Sequence, residues 1–498
     1  MTFNNVLPLL VLSTSLLAAF IIFGLRERQH GWRETINLLA AALKLVLVAW
    51  MGWGVAQGID YETRFQVAPG LDFVLRADSL TIVFAGLSAL LWLCTTAYAI
   101  GYLEHSPNRS RFFGFFSFCV ASTLGIALAG NLFTFLIFYE ILTLSTYPLV
   151  VHRGTEKALR AGRTYVSYAL AGGGVLLLAV AWLHFLVGDL DFAAGGQLAG
   201  VGEEHEPTLV IIFFMIVIGL GVKAALVPLH SWLPQAMVAP APVSALLHAV
   251  AVVKAGVFGL VRVVYDLYGV EYAQALGVLQ PLAWIAAATI LYGSVRALYQ
   301  GDLKRRLAFS TVSQVSYVTL GITLFGPLGT IGGVVHLIHQ GLMKITLFFC
   351  AGNYAETLGV HRVAELDGAG RRMPWTSVAF TLGAFGMIGA PPLAGFISKW
   401  YLGTAAIAAE MPWVVAVLVI STLLNAAYFL PVVYRLWFRP QPQSWPHERI
   451  WGRHETTLWL LLPTLATALF IVLAGVFAGL PFSPLSWSTF MAEEVYGL

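Results

Sequence analysis

The sequence predicts an all-α polytopic membrane protein with about fourteen transmembrane helices, of which the seventh and twelfth are broken. Three observations carry this reading. The 498 residues are 58% hydrophobic and 11% charged, with a mean hydropathy of +0.79, whereas soluble domains are about a quarter charged. Apolar runs of about 20 residues, enough to cross the ~30 Å hydrocarbon core, follow one another along the chain. Basic and acidic residues also segregate into alternating loops, as the positive-inside rule requires.

The apolar segments begin near Leu7, Leu38, Leu80, Phe113, Leu132, Thr164, Leu209, Val243, Leu276, Leu307, Ile331, Ser377, Trp413 and Thr457. The first lacks a basic start and a small-residue cleavage site, so it reads as a retained helix rather than a signal peptide. One set of loops carries Arg26, Arg28 and Arg33; Arg109 and Arg111; Arg153, Lys157, Arg160 and Arg163; Lys304, Arg305 and Arg306; Arg362, Arg371 and Arg372; and Arg435, Arg439, Arg449 and Arg453. The opposite loops hold Asp60, Glu62, Asp72 and Asp78, then Asp189, Asp191, Glu203, Glu204 and Glu206. With fourteen alternating helices every basic loop falls on one side. Both termini are then expected on the non-cytoplasmic side of the cell inner (plasma) membrane. The net charge of +3 is scattered over short loops and gives no sign of nucleic-acid binding. Cys94, Cys119 and Cys350 stand singly in apolar stretches, which argues against a disulfide framework, a metal site or an iron–sulfur cluster. No dinucleotide fingerprint or other cofactor site is expected, because AGGGV at 171–175 lies inside an apolar run with no strand before it.

Two segments are interrupted alike. The seventh runs into VPLHSWLPQAMVAPAPVSALL, with Pro228, Pro234, Pro240 and Pro242, and the twelfth contains Pro391 and Pro392 between glycines. Proline removes a backbone donor and clashes with the preceding turn. Broken backbone at membrane depth is tolerated only where it is buried in protein or lines a hydrated cavity. Paired breaks of this kind point to inverted repeats, and an odd offset of five helices inverts the second unit.

Isolated charges accompany the breaks. Lys223 precedes the first and Lys399 follows the second, while Lys254, Lys344 and Glu140 lie within other apolar runs. An ionisable group at bilayer depth is costly and marks a functional site by default. His336, Gln340 and Lys344 follow at i, i+4, i+8 and share one helical face. Ser310, Ser313, Gln314, Ser316 and Tyr317 hold water or serve as ordinary helix-packing residues, and His230 gates the first break or caps it.

The stretch VKAALVPLHSWLPQAMVAPAPVSALLHAVAVVKAGVFGLVR resembles the core signature of the antiporter-like subunits shared by Mrp sodium/proton antiporters, respiratory complex I and membrane-bound hydrogenases. LAFSTVSQVSYV and VHLIHQGLMKITLFF resemble that family's tenth- and eleventh-helix motifs. The resemblance covers nearly the whole chain. It implies a single transmembrane domain over 1–498, with helices four to eight (about 111–268) and nine to thirteen (about 272–438) as inverted five-helix units. Helices one to three and fourteen are then peripheral. It also implies a proton path, with sodium as a candidate coupled ion. In that path Glu140 pairs with Lys223, while Lys254, His248, His336 and Lys344 relay. Lys399 is the terminal group. Where many relatives carry a second histidine four residues before the eleventh-helix lysine, this chain has Gln340, with His339 one place earlier and about 100° away.

Lysine at 399, the length and the DGAGRRMP loop resemble the D-type member of the Mrp antiporters, whose partners are other membrane subunits of a multisubunit complex. The chain stops soon after the fourteenth segment, without the lateral helix of the distal complex I subunit. The alternative is a proton-pumping subunit of complex I or a related hydrogenase. A polytopic membrane transferase is more remote, since it needs charges clustered at a membrane face and long loops.

Overall fold

In the computed structural model, residues 3–188, 190–452 and 454–498 are described; Asp189 and Arg453, counted above among the loop charges, lie outside them. The first six helices are α1 (Phe3–Gly24), α2 (His30–Ala56), α3 (Ser79–Tyr102), α4 (Arg109–Leu128), α5 (Leu132–Val150) and α6 (Glu156–Val187). They are followed by α7 (Glu206–Lys223), α8 (Ala241–Tyr268), α9 (Leu279–Leu298), α10 (Leu303–Thr323) and α11 (Pro327–Leu358). The chain closes with α12 (Pro374–Ile388), α13 (Ala394–Ala408), α14 (Pro412–Phe438), α15 (Leu458–Val476) and α16 (Pro484–Tyr496).

Among the described residues, twelve helices are long and apolar enough to cross a membrane. Two of the expected segments fall outside that set for physical reasons. α10 has 21 residues but carries Ser310, Thr311, Ser313, Gln314, Ser316 and Thr319, all buried. The twelfth segment is split into α12 and α13 by Gly389–Leu393. The first break is equally plain. α7 ends at Lys223, and regular α8 begins only at Ala241. Between them Ala225 adopts φ +56°, a left-handed conformation uncommon for a residue with a Cβ. The break is held by Trp232, whose Nε1 donates to the Val222 carbonyl at 2.7 Å, and by Val227 N–H, which donates to Thr289 Oγ1 at 3.1 Å.

The helices begin where polar caps stand. Asp78, Asn131, Thr155 and Asp302 accept from the backbone N–H three residues on, opening α3, α5, α6 and α10. This shifts several residues expected in loops. Arg33 is the fourth residue of α2 and is fully buried, its Nη1 donating to Ser110 Oγ at 2.9 Å. Lys304, Arg305 and Arg306 occupy the first turn of α10 rather than a loop. Lys304 Nζ donates to the Ala239 carbonyl at 2.6 Å, and Arg306 Nη1 to the Tyr428 carbonyl at 2.8 Å. They tie α10 to the first break and to α14.

Among the described residues the one sheet is an antiparallel hairpin that the all-α expectation lacks, β1 (Tyr61–Ala68) and β2 (Leu71–Ala77). The alternation in YETRFQVAPGLDFVLRA and the Pro69–Gly70 turn, with Gly70 at φ +76°, are its sequence signals. Arg64 joins Glu62, Asp72 and Asp191 around it. The hairpin anchors the start of α5: Val74 N–H donates to Thr134 Oγ1 at 2.9 Å, and Asn131 Nδ2 to the Asp72 carbonyl at 2.8 Å.

α8 packs directly on the first break through Gly256. A Cβ there would lie 2.2 Å from Ala224 N, a separation the backbone must relieve by moving. Gly256→Ala is therefore expected to destabilise the protein by about 1–3 kcal/mol, the range for overpacked cores. A fall in the thermal midpoint of the detergent-purified protein measures this. Gly174→Ala, whose Cβ meets nothing within 4 Å, should leave the midpoint unchanged.

Candidate functional site

Lys223, Lys254, Lys344 and Lys399 each donate to a backbone carbonyl on another helical segment, the first three fully buried and Lys399 half-buried. Lys223, the last residue of α7, is fully buried. Its Nζ donates to the Tyr139 carbonyl of α5 and sits 3.3 Å from the centroid of the Tyr139 ring. Glu140 is the next residue on α5, yet it makes no ion pair within 4.0 Å with Lys223. Its Oε1 is buried without a hydrogen-bond partner, and its carboxylate rests against Gly173 of α6, where a Cβ would lie 2.2 Å from Oε1. The two charges thus stand as neighbours, not as the closed pair the resemblance implied.

The entry into α8 is a π-helical turn, Leu246–Val250, followed by Ala251 at φ −120°, ψ −84°. Such bulges recur at functional sites. This one carries His248, whose two ring nitrogens find no protein partner and whose ring lies 4.6 Å from that of Phe348 on α11. The extra residue of the bulge is followed by Lys254, whose Nζ donates to the Leu337 carbonyl of α11 at 2.6 Å.

α11 is the spine of the second group. Lys344 Nζ donates to Ser310 Oγ and, at 3.2 Å, to the Leu307 carbonyl of α10. His336 Nδ1 lies 2.8 Å from Ser398 Oγ of α13, and its ring stacks on Tyr317 of α10 at 5.1 Å. Lys399 Nζ is 5.6 Å from the other aromatic partner of that stack, the Tyr317 ring. Its donors go to the Met387 and Ile388 carbonyls at 3.1 and 2.7 Å and to Thr422 Oγ1 at 3.1 Å. These are the last carbonyls of α12, left free where the helix stops. The structure therefore gathers His336, Tyr317 and Lys399 together, ties Lys254 to α11, and keeps Glu140 and Lys223 as a separate pair.

Between these groups lie buried polar atoms that no protein group satisfies: both amide atoms of Gln314 and Gln340, both ring nitrogens of His339, His336 Nε2 and Tyr317 Oη. Gln340 and His339 are equally buried, so neither is favoured by exposure as the replacement for the missing histidine. Ser294, Ser313 and Ser421 form a hydroxyl chain across α9, α10 and α14, with separations of 2.8 and 3.2 Å. His230 stands in the break, its ring 5.0 Å from that of Tyr292.

At the basic face, two cavities of about 480 and 240 Å³ share Tyr102 and Arg153. The larger is lined by Glu104, His105, His152, Glu356 and Arg449, and the smaller includes Lys157, Asp302 and Lys304. Burial, with Arg111 and Arg153 alongside, pushes the His152 imidazole down to about 4, so it is neutral at physiological pH. On the acidic face, Arg262 of α8 forks onto Asp78 at 2.6 and 2.8 Å and reaches Asp266 at 2.7 Å. Sequence reasoning left out this network, and also Lys44 of α2. Lys44 carries the same signal, a lone charge in LLAAALKLVLVAW, that marked the other lysines.

The bundle with carbonyl-held lysines at two helix breaks defines a class of multi-pass ion-handling membrane protein. A family model described as NADH:quinone oxidoreductase/Mrp antiporter, TM, matches residues 129–425, and one described as NADH-Ubiquinone oxidoreductase (complex I), chain 5 N-terminus, matches 67–113. The chain belongs to the NADH:quinone oxidoreductase/Mrp antiporter transmembrane family. It is 36% identical to the N subunit of the NADH-quinone oxidoreductase of Desulforudis audaxviator over 85% of this chain and 82% of that one. It is 26% identical to the D-type component of the Na(+)/H(+) antiporter of Alkalihalophilus pseudofirmus over 87% of each. Some relatives are much longer, and the chain spans 52% and 44% of two of them. In fold it superposes on a chain of the Mrp complex from Dietzia sp. with a TM-score of 0.87 and 24% identity, covering 100% of this chain and 98% of that one.

Ser310→Ala removes the hydroxyl that accepts from Lys344 Nζ. Loss of such a buried hydrogen bond costs on the order of 1 kcal/mol, and more while the lysine is charged. The thermal midpoint should fall more than for Ser316→Ala, whose hydroxyl bonds only the Val312 carbonyl of its own helix at 3.1 Å.

Proposed function

We propose that this chain is a proton-conducting membrane subunit of a multisubunit cation/proton antiporter, of the Mrp D-type, with sodium as the candidate coupled ion. The carrying observation is the set of buried lysines held by carbonyls, with unsatisfied polar atoms between them. Buried polar groups require hydrogen-bonding partners, and a hydrated path near the bilayer midplane supplies them. A carbonyl accepts an N–H from either an ammonium or a neutral amine, so these seats hold a lysine in both protonation states.

In this reading the fold consists of fourteen spans, with helices 4–8 and 9–13 as inverted units. The two breaks, one preceded by Lys223 and one followed by Lys399, support that arrangement. Lys223 alternates between the Tyr139 carbonyl and the Glu140 carboxylate. Pairing with Glu140 holds the lysine charged, and separation favours release of its proton. Lys254, His248, His336 and Lys344 relay protons along α8 and α11. Lys399 is the terminal group, at the exit or at the contact with a neighbouring subunit.

A second reading is favoured by the 36% identity to a relative named as the N subunit of NADH-quinone oxidoreductase. There the same path would be driven by electron transfer in partner subunits of complex I or a hydrogenase. The deciding assay is ΔpH-monitored exchange in vesicles holding the full native complex, pulsed with sodium or potassium and no electron donor. Exchange supports the antiporter; proton uptake only after a reductant is added supports the redox pump. Under either drive, Lys223→Ala and Glu140→Ala are expected to lower proton movement by about tenfold or more, the scale for loss of a proton-transfer group, with assembly intact by blotting. Full activity in both would sink the mechanism.

The orientation follows from the basic loops. Both termini lie on the non-cytoplasmic side of the plasma membrane, so a phosphatase fused after Leu498 should be active and a fluorescent reporter there dark. The reverse pattern would invert the topology.

A further inference from the structure

A buried lysine outside the path above is set into the bundle of α1–α4. Lys44 is fully buried near the middle of α2. Its Nζ donates to Ser15 Oγ of α1 and lies 4.4 Å from the centroid of the Trp92 ring on α3. Arg33 and Asn37 are fully buried on the same helix. At 100° per residue, positions 33, 37 and 44 fall within about 40° of one another, and they span ~16 Å of axis.

The file opens at the arginine-rich face. There half-exposed Glu27 accepts from the N–H groups of Arg109 and Ser110, each at 3.0 Å, and lies 3.9 Å from Arg33. Asn37 Oδ1 accepts from Ser117 Oγ of α4 at 2.8 Å. Arg33 Nε and Nη2, Asn37 Nδ2 and Trp92 Nε1 are buried donors without a protein acceptor. Beyond Lys44 the buried face of α2 turns to Val48, Met51 and Val55, so the file ends at the lysine.

Among the described residues no carboxylate pairs with Lys44, whose partners are Ser15 Oγ and the Trp92 ring. α1 carries no titratable group. α3 carries Cys94, Tyr98 and Tyr102, and the Tyr98 hydroxyl is committed to the Phe349 carbonyl of α11. α4 carries Arg109, Arg111 and Cys119, whose thiol faces Thr146 of α5. On α2 itself Arg33 shares the face, and His30 and Glu34 stand at the same end. A permanent, unpaired ammonium at bilayer depth is costly, whereas a lysine reached by water exchanges its proton. We propose that Lys44 is a further, one-ended protonation site, reached from the arginine-rich face along a hydrated file past Arg33 and Asn37.

Two measurements on the full complex test this. In the first, Asn37→Cys is made in a chain with Cys94, Cys119 and Cys350 replaced by alanine. It is probed in sealed vesicles with membrane-impermeant methanethiosulfonates, with Arg28→Cys marking the side. Labelling is expected only from the side that labels Arg28→Cys. The anionic reagent should react faster than the cationic one, because the lining is cationic and donor-rich; Leu39→Cys, on the lipid face, should stay unlabelled. In the second, the pH profile of proton movement is compared for wild type, Lys44→Met and Lys44→Arg. Arginine keeps the charge and the donors but does not release a proton, so both variants should lose the same titrating limb. Absence of labelling at Asn37→Cys, or a wild-type profile in Lys44→Arg, overturns the proposal. Should Lys44→Arg fail to assemble, the labelling alone decides, and it needs no transport activity.

Discussion

Every lysine of the proposed path is met by a backbone carbonyl from another helical segment: Tyr139 for Lys223, Leu337 for Lys254, Leu307 for Lys344, and Met387 with Ile388 for the half-buried Lys399. The rest of the architecture follows from the need to bring those oxygens within reach at membrane depth. A carbonyl dipole is a weaker partner than a carboxylate, and it does not fix the protonation state. In the proposed mechanism lysines so held are free to change charge, which a closed ion pair would resist.

The breaks, the bulge and the hairpin serve the same need. Ending α12 at Ile388 frees the carbonyls that receive Lys399. Ending α7 at Lys223 lets the side chain reach across to α5, and Gly256 lets α8 press against the exposed backbone. The π-turn before Lys254 changes the register of α8 so that His248 meets α11 at Phe348 while Lys254 meets it at Leu337. The β1–β2 hairpin holds the first turn of α5, and through it the level at which Tyr139 and Glu140 stand.

Much of this was legible in the sequence. Lys223, Lys254, Lys344, Lys399 and Glu140 announce themselves because a charge in an apolar run has few bland explanations, and the proline clusters mark both breaks. The acceptors were not legible, since a carbonyl belongs to every residue and only the fold selects one. The Glu140–Lys223 contact came from family resemblance, and in this conformation the lysine turns to the neighbouring carbonyl instead. Lys44 carries the same signal as the others, a lone charge in an apolar run, but no break or motif stands beside it. α10 reads as a membrane helix from its motif more than its hydropathy, because its hydroxyls and amide face inward.

The central claim is that carbonyl-held lysines work by gaining and losing protons, not by standing as fixed charges. Lys223→Arg tests it most directly: the guanidinium keeps the charge and the donors but stays protonated. Exchange should be measured in vesicles carrying the native complex, with assembly confirmed by blotting and the thermal midpoint confirmed near that of wild type. The account predicts that exchange is lost in Lys223→Arg as fully as in a variant with no cation at that position. Wild-type exchange with arginine at 223 would contradict it and recast these lysines as fixed structural charges.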